Sequence, residues 1–211
     1  MAQNVLRNDI EYAIHCDKTG KIIGPISKSH AHLDGVRPTL THYSTWAMIY
    51  NPELKKYGLQ LKRPKKHDKF SKPKWDMGVA GHNCYFKEND IYKPLLFDEN
   101  LIKEADEEIG LNLEMYDDLN IFLQKSKNFK GTIGFVFEEF LFEDEINNEW
   151  VGAGLILTTE TNLEFKDDEV IEFKWLSLEE LNEFLKDENS YYSALPIIYE
   201  KVEKFRLKNL N

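Results

Sequence analysis

A chain of 211 residues with 42% hydrophobic and 13% aromatic content can bury a sizeable core, which excludes wholesale disorder and fits one compact domain or at most two small ones. Its formal net charge of −10 argues against a general binder of nucleic acid or of anionic membranes. The two cysteines, Cys16 and Cys84, form neither a metal-spaced pair nor a disulfide framework, and no apolar run marks a signal peptide or spans a bilayer, so a cytoplasmic protein is expected.

In chain order, residues 10–15 and 21–24, separated by Asp17-Lys-Thr-Gly20, predict a hairpin. Residues 26–41 are turn-rich and carry His30 and His32. Residues 42–50 (HYSTWAMIY) predict a buried strand and 58–63 (GLQLKR) a second one. The basic stretch 62–74, with Lys62-Arg63-Pro64-Lys65-Lys66-His67, has no apolar periodicity and predicts a loop that could reverse the local field for an anionic substrate. Trp75–His82 predicts a short strand ending in a glycine-punctuated turn, and residues 83–97 an irregular insertion.

Residues 98–109 predict a helix with Asp98 as N-cap and Gly110 as its stop. Strands follow over 132–142, 151–158 and 169–176, then a capping box at Ser177-Leu-Glu-Glu that opens a helix to about Lys186, and a last helix from about Tyr191 to Leu207. Residues 112–131 carry no legible motif. With no repeat and no linker, the chain reads as one mixed α/β domain: a core at about 40–186, a hairpin extension at 1–39 and a C-terminal helix in 187–211.

Nearly the whole of the helix predicted over 98–109, Glu99–Glu108, crowds five carboxylates into ten residues. Positions three and four apart share a helical face, so Glu104, Glu107 and Glu108 converge on one stripe, whereas Asp106 points away. Like charges at that spacing repel by roughly 0.2–0.5 kcal/mol per exposed pair, a penalty that a hard divalent cation removes. Leu101, Ile102, Ala105, Ile109 and Leu111 form the opposite stripe, suited to packing on a sheet. By itself the pattern also describes a charged surface helix.

Lys103-Glu-Ala-Asp-Glu-Glu-Ile-Gly-Leu111 resembles the core of the Nudix box, R-E-U-x-E-E-x-G-U with U aliphatic, with lysine in place of the arginine. The upstream segments Ala31-His32, Thr41-His42, Trp46–Asn51, Leu59–Arg63 and Trp75–His82 are similar to the Nudix branch that includes isopentenyl-diphosphate isomerase. The resemblance spans roughly residues 10–176. It implies an α/β/α sandwich with a mixed sheet and a metal-dependent hydrolase of nucleoside diphosphates linked to another moiety, or of similar organic diphosphates. It implies one to three Mg²⁺ or Mn²⁺ ions on Glu104, Glu107 and Glu108, with one of these glutamates or Glu149 as general base. Arg63, Lys65 and Lys66 are candidates for the distal phosphates, with His82 also facing substrate, and Lys103 would orient a catalytic glutamate, as a point charge where arginine would be a planar fork. A small-molecule diphosphate is the expected partner, with no nucleic acid and no membrane; a homodimer is compatible with this reading.

The chain departs from the pattern in places. Lys87 stands where the box has its first glutamate, with Glu88 one position late, and about seven extra residues precede Lys103. The isomerases' cysteine position is Ala80, Cys84 lies two residues beyond His82, and of their E-x-E pair Asn147-Asn148-Glu149 keeps the second glutamate. His32, His42 and His82 match those enzymes' metal-binding histidines. An isomerase-like enzyme and a catalytically silent binding module are therefore the alternative readings.

Overall fold

The computed structural model describes residues 6–33, 35–64 and 72–210. Within these residues twelve strands form one mixed sheet. They are β1 (Tyr12–Cys16), β2 (Ile22–Ser27), β3 (Thr41–Asn51), β4 (Lys56–Lys62), β5 (Lys74–Asp76), β6 (Val79–His82), β7 (Cys84–Glu88), β8 (Ile91–Pro94), β9 (Leu113–Tyr116), β10 (Thr132–Glu143), β11 (Asn148–Thr158) and β12 (Val170–Ser177). Helices α1 (Lys28–Ala31), α2 (Phe97–Ile109), α3 (Leu119–Lys125), α4 (Leu178–Phe184) and α5 (Ala194–Asn209) complete the chain, with a short 3₁₀ turn at Arg37–Thr39.

The sheet runs β8-β7-β1-β3-β11-β10-β9; β2 adds to β1, β6 and β4 pair with different parts of β3, and β5 and β12 flank β4. Among the described strand pairs only β3–β11 and β9–β10 are parallel. At the centre, alternation sends β3 side chains to opposite layers. Ala47 and Ile49 join Ile156, Leu101, Ala105 and Ile109 beneath α2, while Trp46 and Met48 join Leu155, Leu157, Leu195, Ile198 and Val202 beneath α5. The result is an α/β/α sandwich, as the resemblance implied, with both faces of β3 and β11 buried. Among the described residues no helix is long and apolar enough to cross a membrane.

Several expectations need correction. Residues 83–97 are not irregular: β7 and β8 form a hairpin whose turn residues Asn89 and Asp90 have φ of 48° and 63°, the positive pair of a two-residue type I′ connection. Trp75–His82 holds two strands, β5 on β4 and β6 on β3. The stretch 112–131 holds β9 and α3, the latter capped by Asp118 accepting the Ile121 N–H at 3.0 Å.

Helix α2 begins at Phe97 with Leu96, not Asp98, in the N-cap position. Leucine offers no acceptor, so the end is closed instead by Glu99, whose carboxylate takes the Leu96 N–H at 3.2 Å. Its other end is as expected: Gly110 adopts φ 70°, open to glycine without a Cβ penalty. Ile102 is 41% exposed, because it sits 100° around the helix from the buried i, i+4, i+8 row Leu101, Ala105, Ile109. The Ser177 capping box forms, with Ser177 Oγ accepting the Glu180 N–H and Glu180 accepting that of Ser177.

Leu101 is fully buried where α2 meets the sheet, so Leu101→Ala should cost about 2–5 kcal/mol through lost transfer energy and a residual cavity. Urea unfolding of the two proteins measures this, and a loss below 1 kcal/mol would mean α2 is not anchored there.

Candidate functional site

Two clusters share β6. In the first, Gly81 brings the backbone so close to α2 that a Cβ there would strike the Glu104 carboxyl group. Lys103 Nζ binds Glu104 Oε1 at 3.1 Å and Glu107 Oε2 at 2.7 Å. The lysine thus stands over the pair as a point charge, in the position where the family pattern has arginine. Burial disfavours the Lys103 ammonium, but Glu104 and Glu107 outweigh this and raise its pKa. Glu107 is half exposed, whereas the Glu104 side chain is 14% exposed, so Glu107 marks the mouth of the site.

Glu108 turns inward and is 1% exposed. Its Oε1 meets Lys62 Nζ at 2.6 Å, and its Oε2 accepts Gln60 Nε2 at 3.1 Å and the Ala80 N–H at 3.2 Å. Lys62 also donates to the Ala80 carbonyl at 2.9 Å. Among the described residues strand β6 pairs with β3 alone, so these two side chains satisfy the edge groups of Ala80 that no described strand takes. Burial pushes the Glu108 carboxyl up to about 7 against the opposing pull of Lys62 and Gln60, whereas for Lys62 the attraction of Glu108 outweighs burial and raises the pKa.

The second cluster joins His32, just after α1, to β3, β6 and β11. The ligand atoms of His32, His42 and His82 fall within 4.8 Å of one another, and they are the one such group among the described residues. Ring centroids are 4.5 Å apart for His32–His82, 4.8 Å for His42–His82 and 5.6 Å for His32–His42. The parallel register sets His42 beside Glu149, and Glu149 Oε1 lies 3.6 Å from His82 Nε2 and 3.9 Å from His42 Nε2. Trp46 Nε1 donates to Glu149 Oε2 at 3.0 Å, and Asn147 Nδ2 donates to Oε1. Arg37 Nε donates to Asn147 Oδ1 at 2.9 Å.

Burial alone would raise the Glu149 carboxyl, yet His82, His42 and Asn147 hold it well below the usual range. Burial, with the neighbouring His82, pushes His42 down to about 4. Neither ring nitrogen of His42 makes a hydrogen bond, although the residue is fully buried. Such an orphaned imidazole suits a metal ligand. Three imidazole nitrogens and one carboxylate fit Mn²⁺ or another transition metal better than Mg²⁺, which prefers an all-oxygen shell.

Other expected residues lie elsewhere. Arg63 is exposed, with Nε donating to the Asp168 carbonyl at 2.8 Å, so its head is tied toward the β12 side. Lys65, Lys66 and His67 lie outside the described residues. Glu88 pairs with Lys93 across the β7–β8 hairpin. Asp106 pairs with Lys166 on the surface, as its outward position predicted. Sequence reasoning gave no role to Gln60, Arg37 or Asn147, and it read Lys62 in the basic stretch offered to an anionic substrate rather than against Glu108; the i, i+2 spacing of Gln60 and Lys62 on a predicted strand was the available signal that both share a face.

In comparisons with known proteins, no family model and no curated protein matches the chain. Among solved structures, a Deinococcus radiodurans protein superposes with a TM-score of 0.56 at 12% identity, over 90% of this chain and 98% of that one. The two share a fold. A NUDIX-family hydrolase from Clostridium perfringens gives a TM-score of 0.46 at 22% identity, over 79% of this chain and 97% of that one. A MutT protein from Methanosarcina mazei Go1 gives 0.49 at 17% identity, over 82% and 98%.

Two outcomes follow from this geometry. Gly81→Ala should cost about 1–3 kcal/mol by overpacking, and much of that should return in Gly81→Ala/Glu104→Ala, because the obstructed carboxyl is gone. Additive losses in urea melts of this cycle would mean that Glu104 does not rest on Gly81. Because His42 takes up its proton near pH 6.5 when unfolded but only near 4 when folded, the unfolded chain binds more protons between these values. Stability of the metal-free protein should therefore fall as pH drops from 6.5 to 4, by up to about 3 kcal/mol, and His42→Gln should flatten that slope in urea titrations.

Proposed function

We propose that the chain is a Nudix-type pyrophosphohydrolase that cleaves the diphosphate linkage of a nucleoside diphosphate joined to another moiety, or of a similar organic diphosphate, with Mn²⁺ or Mg²⁺. The observation that carries the reading is the placement of the box glutamates. Glu104 is pressed onto Gly81, Glu107 opens to solvent beside it and Glu108 lies beneath, all on one helix that ends at Gly110.

Glu104, Glu107 and Glu108 would hold the ions, which when bound polarise the phosphate and lower the pKa of an attacking water. Phosphoryl transfer needs mainly positioning and charge neutralisation. Lys103 holds Glu104 and Glu107 in place, while Gly81 leaves the room that Glu104 fills. Glu149 is one candidate general base, although the histidines that hold its carboxyl below the usual range weaken it as a base; a box glutamate not engaged by metal is the other. His82, in contact with Glu149 at 3.6 Å, faces the same site. Lys66 and Arg63 are candidate contacts to the distal phosphate.

The cluster of His32, His42, His82 and Glu149 favours one second reading, an isomerase-like enzyme on a short organic diphosphate, whose metal would sit on the histidines. Cys84 stays near its own strand: its Sγ lies 3.4 Å from Glu11 Oε1 and 3.5 Å from the His82 carbonyl, and burial pushes the thiol up to about 12. It is thus a protonated thiol at neutral pH. A silent binding module is the third reading, supported by the lysines that already neutralise the box.

A panel of diphosphate compounds with Mn²⁺ or Mg²⁺ separates the three. The hydrolase reading expects release of a phosphorylated product and a loss on the order of 10²-fold in kcat/KM for Glu107→Gln. Double-bond migration without phosphate release would support the isomerase. Weak metal binding with no turnover on the whole panel would support the module.

A further inference from the structure

Lys62 closes a pocket of oxygen donors. Its Nζ sits between Glu108 Oε1 at 2.6 Å and the Ala80 carbonyl at 2.9 Å. Beside them, Gln60 binds Glu108 through Nε2, while its Oε1, on a fully buried side chain, has no hydrogen-bond partner. A carboxylate and a main-chain carbonyl are donors of the kind a hard divalent cation takes, a lysine ammonium bridges them, and the side chain bonded to the same carboxylate carries a buried amide oxygen without a partner. Lys103 neutralises the other two box glutamates in the same manner. No carboxylate of α2 on this face is left without a cation.

We propose that Lys62 is an exchangeable resident cation: a divalent ion entering at Glu108 displaces its ammonium, and the released lysine captures a phosphate of the substrate. This rests on the hydrolase reading, in which the box glutamates hold metal, and adds how that site couples its two ligands.

Three physical points support it. A single carboxylate cannot hold a divalent ion and an ammonium at contact distance without strong repulsion between the two. The four-carbon stem of lysine lets the head swing, which a bidentate arginine would resist; the Lys62 side chain is 14% exposed, so part of it reaches solvent while its head is held inside by Glu108 and the Ala80 carbonyl. Finally, an ammonium released from a buried partner is costly until another anion meets it, and a diphosphate is the anion at hand. Metal and diphosphate should therefore strengthen each other's binding, by the same factor in each direction.

The test uses the full-length protein, Mn²⁺ as the metal and methylenediphosphonate as an uncleavable diphosphate. Free Mn²⁺ is followed by electron paramagnetic resonance, and acetylation of Lys62 by acetic anhydride is followed by mass spectrometry. In the wild type, Mn²⁺ should raise Lys62 acetylation several-fold and the diphosphonate should suppress it again. The diphosphonate should tighten Mn²⁺ binding by about 5–150-fold. Lys62→Met should bind Mn²⁺ more tightly alone and lose most of the gain from the diphosphonate.

Identical Mn²⁺ binding by wild type and Glu108→Gln would overturn the assignment of metal to Glu108, and this proposal with it. Glu108-dependent Mn²⁺ binding without any change in Lys62 acetylation would overturn the exchange alone. Because the acetylation is read on the wild type, the outcome stands even if Lys62→Met does not fold.

Discussion

The parallel pairing of β3 with β11 is the constraint on which the rest of the structure depends. Ten consecutive positions pair, from Asn148↔Thr41 to Leu157↔Tyr50, and both strands are buried on both faces. A slip of one residue would turn every side chain of one strand to the opposite layer. It would move Ile156 from the α2 core to the α5 core, and it would take Glu149 away from His42. Core packing and the second cluster are thus secured by the same register. Trp46 joins the two directly, because its ring packs against Phe140 and Phe142 while its N–H holds Glu149.

The split pairing of β3 supplies the other half of the site. Its later residues take β4 and its earlier ones take β6, which leaves β6 with an edge that no strand covers. Glu108 from α2 and Lys62 from β4 close that edge with side chains. A buried ion pair of this kind is weak evidence for stability, since its desolvation offsets much of its attraction. Removing one partner alone, however, strands the other charge. The pair makes more sense as part of a site than as a brace, and the orphaned Gln60 oxygen beside it points the same way.

Much of the fold was legible in the residues. The 3.6-residue spacing of Leu101, Ala105 and Ile109 set the buried face of α2, Gly110 ended it, and the apolar runs of β3, β10 and β11 stood out from their flanks. Legibility failed where local chemistry was ambiguous. Leu96 cannot cap by side chain, so the helix start was sought at Asp98. Asn89-Asp90 is a strong turn signal, but the strands beside it mix aromatic and charged residues without a clean alternation. Ile102 looked like core by type and is surface by angle.

For the site, the sequence by itself determined which carboxylates could act together, since helical periodicity alone puts Glu104, Glu107 and Glu108 on one face and Asp106 off it. It also marked His32, His42, His82 and Glu149 as candidates through resemblance. Only the tertiary structure decided what each of these meets. Glu108 faces Lys62 and Gln60 because β4 runs past the open edge of β6, and His42 and His82 meet Glu149 because β6, β3 and β11 lie side by side, with His32 brought to the other two rings by the turn after α1. Helical spacing is a short-range property of the chain, whereas those encounters join residues far apart in sequence through strand pairing, which no local pattern encodes.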